Sequence, residues 1–576
     1  MSNAVPGASV ESDFGQRLRA RGKHATASPL AWSRLSDGIV FWVLAVIYLV
    51  VATHLDRGFL PFFDEWNFVN LHRDSVISAA LVAHNGHLLF FPYVSYWLLL
   101  DVFGLAHHLP FMELLNLLNV SCGFLVYRLS RTRISPVLSA IIGSVVMFYG
   151  AASQDLLWAF QIGWLMSTAA ALAGLLFVNL RTRRGDIAAC IALSIAVTST
   201  ALGLAFVAGI GLSLLLWRKD WKRLWIPIVA VGFYGAWWLG WGRYSPDHMM
   251  LSGAAGMFRY AAEGAIATCQ ALAFGNHAAG IALALVLGVA LLMALTLSWR
   301  TSQRLVQISA SWFIFWAVIS LARETPIPIP SRYLYTSSAL LIVGSVEIFW
   351  LLRYRFTESS NRPRGFQIIT TSTIALLSIL GLALCNYGAH QLFLAQPFYE
   401  FQAQADRVAA GLVDLDGSLM NPSTVIDPAN IPQMSVSDFV WAQHHLGSIG
   451  FDVATMRSLN TPLAALANHE LLGAIPVMSR EVLKPQTCVA AGQWWGHGLW
   501  RVQVPRGGVV VTADAGSALS VQASAWPNHH VWQTMLRFRP GTSHLVAWAG
   551  ASNMQLPLVL MLHGVSSAQS SPACVG

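Results

Sequence analysis

The sequence predicts a polytopic α-helical membrane protein that ends in a β-rich domain, and three observations carry that prediction. Of 576 residues, 55% are hydrophobic and 11% charged, with a mean hydropathy of +0.55. A soluble domain has about a quarter of its residues charged. Apolar runs near the length of a bilayer crossing recur from Asp37 and stop near Asn386. Beyond about residue 486 the pattern changes to short strand-like segments separated by Gly, Pro and Asn turns.

The runs place spans near 37–54, 108–128, 135–151, 157–180, 186–200, 202–217, 224–242, 279–298, 306–322, 333–352 and 366–386. That is about eleven crossings of roughly 30 Å of hydrocarbon. The start, residues 1–36, is polar and the first span lacks a small-residue cleavage site, so the expectation is a signal anchor with its N-terminus in the cytoplasm. The segment Leu88 to Gly104 is apolar enough to count as a span. Counting it would turn Arg128, Arg131 and Arg133 outward, so it is read as a helix lying on the outer membrane face. The first outer loop is then long, 55–107, and residues 37–386 form one membrane domain.

The net charge of +8 raises nucleic-acid binding as a class, and its distribution excludes it. The basic residues sit in short clusters between spans: Arg181, Arg183 and Arg184; Arg218, Lys219, Lys222 and Arg223; Arg300 and Arg304; Arg353, Arg355, Arg362 and Arg364. Such clusters are the positive-inside signal, whereas a nucleic-acid footprint is a continuous basic face.

The tail divides into a mixed helical region, 387–485, and a β-sandwich, 486–576, with strands expected at 499–504, 509–512, 520–523, 531–538 and 543–548. Cys488 and Cys574 bracket the sandwich; a bridge between them and two separate thiols are both open readings. Cys122, Cys190, Cys269 and Cys385 read as small apolar residues. Trp494, Trp495, Trp500, Trp526 and Trp532 fit either glycan stacking or a packed core.

Chemistry concentrates in the first outer loop. Pro61-Phe62-Phe63-Asp64-Glu65-Trp66 puts two carboxylates beside the membrane, and His84-Asn85-Gly86-His87 follows, then Pro92. A carboxylate so placed is a functional-site candidate. The second outer loop carries Ser153-Gln154-Asp155, and a later one runs from Arg323 through spaced prolines to Ser331-Arg332-Tyr333.

These features together resemble the GT-C superfamily of membrane glycosyltransferases, which take polyprenyl-phosphate sugars as donors. The matching elements are the acidic pair Asp64-Glu65, the His87-to-Pro92 stretch and Phe103-Gly104 before the second span. The string from Asp155 through Trp158, Phe160 and Gln161 to Gly163 is similar to one in bacterial relatives of that group. The β-rich outer domain is similar to that of arabinofuranosyltransferases of the superfamily. The resemblance spans roughly residues 37–386. It implies transfer at the outer face of a bacterial inner membrane, with a glycan, lipid or protein as acceptor.

The resemblance assigns the base to Asp64, and a carboxylate in reach of an acceptor hydroxyl can take its proton. The competing reading is a cap on the helix that starts there. Glu65 is expected to orient or bind the acceptor. The departing lipid phosphate needs cations: Arg332 with Tyr333 beside it, then Arg323, while anchoring at the headgroup level is the alternative. His84 and His87, three apart, would share a helix face and hydrogen-bond donor or acceptor; a divalent metal held with Asp64 is the other reading. Asp155 is a second acceptor-binding candidate. One dominant acid favours inversion by direct displacement. A transporter or flippase of a lipid-linked saccharide would instead carry mid-span charges, and only Glu113 and Glu347 are acids well inside spans. A non-catalytic envelope-assembly protein is the third reading. The sugar, acceptor and oligomeric state are not written in the sequence.

Overall fold

A computed structural model describes residues 38–244, 254–298, 302–321, 329–358, 365–475 and most of 477–575. The membrane part opens with α1 (Ile39–Leu55), and the outer loop folds into α2 (Glu65–Leu71), α3 (Val76–Leu81) and α4 (Phe90–Phe103). There follow α5 (Leu109–Arg131), α6 (Pro136–Met147), the short α7 (Ser153–Leu157), α8 (Ile162–Val178), α9 (Arg183–Ser199), α10 (Gly203–Leu216) and α11 (Trp225–Gly240). The set ends with α12 (Ala254–Leu272), α13 (His277–Ser298), α14 (Gln303–Leu321), α15 (Arg332–Glu358) and α16 (Gly365–Asp416). Each expected span coincides with a helix. Among the described residues 7 helical stretches are long and apolar enough to cross a membrane, and α1, α4, α10 and α11 are shorter apolar helices.

Helix starts follow local chemistry. The side chains of Ser75, Ser135 and Thr182 accept from backbone N–H groups of the first turns of α3, α6 and α9, and Pro136 supplies the preset φ at the start of α6. The helix α12, absent from the expected spans, falls in the loop after α11. It buries Tyr260 among Phe315, Trp316 and Tyr333.

Two helix crossings depend on glycine. A Cβ on Gly123 would lie 2.8 Å from the Gly143 carbonyl oxygen, so α5 and α6 touch through their backbones. On α16, a Cβ at Gly388 would lie 1.6 Å from the Phe148 carbonyl oxygen, beside Gly150. Gly388→Val is therefore expected to lower stability by about 1–3 kcal/mol through overpacking, read as an earlier thermal transition of the solubilised protein. An unchanged transition would show that this crossing yields freely.

At one end of the bundle the basic clusters are tied into the fold. Arg304 donates to the Leu129 carbonyl at 2.6 Å and to Thr132 Oγ1 at 2.7 Å. Arg304 and Arg133 both pair with Glu347, at 2.7 and 3.0 Å. Glu113 accepts from Thr53 Oγ1 at 2.5 Å. The two mid-span acids thus have structural partners.

The helix α16 runs 52 residues without a break through Asn386, past Pro397, and into the tail. Around its far half pack α17 (Val436–Leu446), α18 (Val453–Arg457) and α19 (Thr461–Ala474), the α17 start closed by a reciprocal Ser435–Asp438 capping box. Glu470 of α19 is buried, and its carboxyl is pushed well above the usual range by burial, then by Asp427 and Asp406.

The sandwich has two antiparallel five-stranded sheets, β1-β8-β5-β10-β2 and β3-β4-β9-β6-β7. The expected strands appear as β4 (Leu499–Gln503), β5 (Val509–Thr512), β6 (Leu519–Ser524), β7 (Gln533–Phe538) and β8 (Ser543–Trp548). Five more were not expected: β1 (Val477–Glu481), β2 (Val489–Ala490), β3 (Gln493–Gly496), β9 (Val559–His563) and β10 (Ala573–Val575). The first of them lies before residue 486. Trp500 and Trp526 are buried, Trp526 Nε1 donating to the Met456 carbonyl at 2.7 Å, so these two rings serve the core. Cys488 lies outside the described residues; Cys122, Cys190, Cys269 and Cys385 are free and buried.

The tail clasps the first loop. Leu105 N–H donates to the Leu446 carbonyl at 2.9 Å, Trp66 packs on Phe439 at 4.9 Å, and Arg73 pairs with Asp438 at 2.9 Å while lying over Trp441. Gly104 takes φ +67°, and a Cβ there would lie 2.5 Å from the Leu446 oxygen; the clasp explains Phe103-Gly104. Partial burial raises the Asp438 carboxyl, but the Ser435 hydroxyl and N–H and the Arg73 guanidinium outweigh it and hold it below the ordinary value. Its contribution is therefore present above pH ~4 and lost as pH falls through the lowered value. Asp438→Asn should remove that acid limb and cost about 1 kcal/mol of capping at neutral pH. Thermal transitions between pH 3 and 7 measure both, and an acid limb that persists in the variant refutes the assignment.

Candidate active site

The acidic pair divides at once. Asp64 is the N-cap residue of α2, yet its side chain makes no capping hydrogen bond. It is 9% exposed, and its Oδ1 lies 3.8 Å from His84 Nε2. The capping alternative to a base therefore does not hold for this carboxylate. The residue before it, Phe63, has φ +48°, a left-handed conformation that bulky side chains avoid. That turn sends the backbone into α2 with Phe62 and Phe63 against Trp158.

Glu65 points the other way. It is 0% exposed, and Oε2 accepts from Tyr96 Oη and from His108 Nε2, each at 2.7 Å. Oε1 accepts from the Phe62 N–H at 3.3 Å. Both oxygens are used inside the fold, so the expectation of direct acceptor binding by Glu65 is replaced by an anchoring position. His108 stacks on Phe111 at 5.2 Å, and Phe111 meets Tyr96 at 4.5 Å. No local sequence signal marks Tyr96 and His108; they are 31 and 43 residues away.

His84 and His87 are not on a helix. They bridge each other as a tight antiparallel turn, N–H to carbonyl at 3.0 and 2.9 Å, with Asn85 at φ +48° and Gly86 at φ +73°. The Asn-Gly centre dictates this, since both positions need positive φ. His84 faces Asp64, and its ring lies 5.0 Å from Phe160. Among the described residues no set of three or more His, Cys, Asp or Glu side chains converges as a metal-ligand group. Asp64, His84 and His87 do not form one.

The Asp155–Gly163 string forms the facing wall. Trp158 Nε1 donates to the Phe62 carbonyl at 2.9 Å, and Trp158 stacks on Phe160. Gly163 abuts Pro92, where a Cβ would lie 3.1 Å from the ring, so these two matched stretches meet. Asp155 is 0% exposed, and neither of its carboxylate oxygens has a hydrogen-bond partner among the described residues. Arg332 is close enough to act on it electrostatically, and Gln154 N–H donates to Ser331 Oγ at 3.4 Å. Burial of Asp155 places it behind the surface. Tyr333 is also buried, 5.6 Å from Trp164 and near Trp316, while Arg332 is half-buried at the start of α15. Arg323 lies outside the described residues.

The continuation of α16 supplies what the sequence did not suggest. Tyr399 packs on Phe59 and Phe62 at 5.7 and 5.8 Å, and Phe398 on Phe62 at 5.9 Å. The signal was there as an aromatic pair beyond the last apolar run, with nothing to say which surface it met.

No family model matches the chain, and no curated protein matches it. Among solved structures the chain is similar to ArnT from Cupriavidus metallidurans bound to undecaprenyl phosphate, and to the same protein in the apo state. Identity is 14% and the TM-score 0.43 in each case, over 72% of this chain and 90% of that chain.

Proposed function

We propose that this protein is a glycosyltransferase that moves a sugar from a polyprenyl-phosphate donor to a glycan, lipid or protein acceptor at the outer face of a bacterial inner membrane. The observation that carries the reading is the state of Asp64: a nearly buried carboxylate beside His84 and an aromatic wall, with no side-chain hydrogen bond to α2 or to any other group among the described residues. A group free of structural duty at that point can accept a proton from an acceptor hydroxyl.

In this reading the acceptor oxygen attacks the anomeric carbon as its proton passes to Asp64. The bond from that carbon to the lipid phosphate breaks, and the phosphate leaves with the electron pair. One displacement inverts the anomeric centre. Arg332 is the proposed partner for the phosphate, because a guanidinium fork matches its oxygens. Asp155 is assigned to holding Arg332 in place through its electrostatic effect. His84 orients Asp64. The membrane part, the helical tail and the sandwich are proposed as one extracytoplasmically crowned unit.

The test is transfer by the solubilised full chain from short-chain polyprenyl-phosphate pentoses and hexoses, wild type beside Asp64→Asn. Donor-dependent transfer that the variant loses supports the reading. Wild-type protein that binds these donors but never turns them over favours an assembly role and sinks it.

A further inference from the structure

At the opposite end of the bundle from Asp64 lies a cavity of about 650 Å³, lined by Arg181, Thr182, Arg183, Asp186, Ile187, Asp220, Arg223 and Trp225. From this cavity we propose a binding site for the phosphate of an anionic phospholipid.

The two acids in the lining are already neutralised within the chain. Arg223 holds Asp186 at 2.5 Å and also donates to the Val178 carbonyl, while Asp220 is met by Arg181 at 3.3 Å and by Gln303 Nε2 at 3.0 Å. What remains is cationic. Arg183 is exposed and has no hydrogen bond or ion pair among the described residues, and Arg184, Lys219 and Lys222 lie exposed nearby in sequence. Arg183 and Arg184 also stand in the first turn of α9, whose one acid there, Asp186, is paired with Arg223.

The other wall distinguishes a lipid from a free anion. Ile187 and Trp225 line the cavity and are exposed, and Trp221, 51% exposed, follows the lining residue Asp220 in sequence and lies under the Arg218 guanidinium. An apolar wall with tryptophan at one side and an unpaired guanidinium at the other matches the junction of a phosphodiester with its acyl chains. Tryptophan favours that depth in a bilayer, and basic residues there attract anionic lipid. The site takes no part in the proposed transfer, so it stands or falls separately.

The experiment is equilibrium binding to the purified full chain in detergent, with short-chain phosphatidylglycerol, phosphatidylcholine of equal chain length and inorganic phosphate as probes. Arg183→Gln and Ile187→Gln are the variants, and an unchanged thermal transition shows that each is folded. Saturable binding of phosphatidylglycerol is expected, weakened about fivefold by Arg183→Gln, the factor that corresponds to about 1 kcal/mol per basic residue at a charged surface. Phosphatidylcholine should bind more weakly, and Ile187→Gln should weaken the lipid alone. Equal affinity for both lipids, indifference to Arg183→Gln, or full displacement by inorganic phosphate at the lipid's own concentration would overturn the assignment.

Discussion

Asp64→Asn should reduce transfer by about 10²–10⁴-fold while leaving the fold and its thermal transition unchanged. The amide cannot accept the acceptor's proton, and general-base contributions run to about 10²–10⁴. Stability is spared because the Asp64 side chain makes no hydrogen bond that caps α2. The pairing of outcomes is what makes the experiment informative. Lost transfer with an intact transition assigns chemistry to Asp64; lost transfer with a lowered transition would return it to a structural role. Transfer near the wild-type rate would remove it from the reaction. His84→Gln supplies the companion measurement. If His84 only orients the carboxylate, the loss should be smaller than for Asp64→Asn, and the two losses should not add, since they act through one group.

Glu65→Ala should have the opposite signature, a loss of about 3–5 kcal/mol in stability. Removing one member of a buried, hydrogen-bonded set leaves the others without partners. Here the orphaned donors would be Tyr96 Oη and His108 Nε2, both sealed from water. Glu65→Gln keeps the volume and one acceptor, so its cost should fall to about 1.5–3 kcal/mol, the range for hydrogen bonds to a charged group. The measurement is chemical or thermal unfolding of the solubilised chain, with activity expressed per folded molecule. If Glu65 instead bound the acceptor, Glu65→Gln would raise KM with no change in unfolding, and the anchoring assignment would fail.

The contrast between neighbouring acids shows where sequence reading reaches its limit. The pair was visible as two charges beside a membrane. Adjacent residues on a helix point about 100° apart, so one can face the surface and the other the interior. Which does which depends on the partners available on each side. Glu65 meets Tyr96 and His108, brought in by two other helices, whereas Asp64 faces His84 across the turn. The histidines illustrate the same point at shorter range. Their spacing suits a helix face, but the Asn85-Gly86 centre between them prefers a tight turn, and the turn prevailed.

The apolar runs placed the apolar helices, 7 of them long enough to cross a membrane among the described residues, because hydropathy over some twenty residues is a local property that tertiary context seldom reverses. The same runs misjudged the end of α16. Past Asn386 its sequence becomes more polar, and that change of solvent does not end a helix when Tyr399, Ala403 and Val408 still have a surface to bury against. Strand reading in the sandwich recovered the alternating segments. It passed over β1, β2, β3, β9 and β10; of these β2 and β10 are 2 and 3 residues long and gain their identity from pairing, with each other and, for β10, with β5.

By itself, then, the sequence determined the membrane class, the positions of the apolar helices, the β-rich end and the acidic pair, because each is written in neighbouring residues. Only the tertiary structure decided that Glu65 is sealed and Asp64 is not, that Tyr333 and Asp155 lie behind the surface, and that the tail clasps the first loop through Gly104. Those outcomes depend on contacts between residues tens to hundreds of positions apart, and burial is settled by what the chain brings back to a point rather than by what stands next to it.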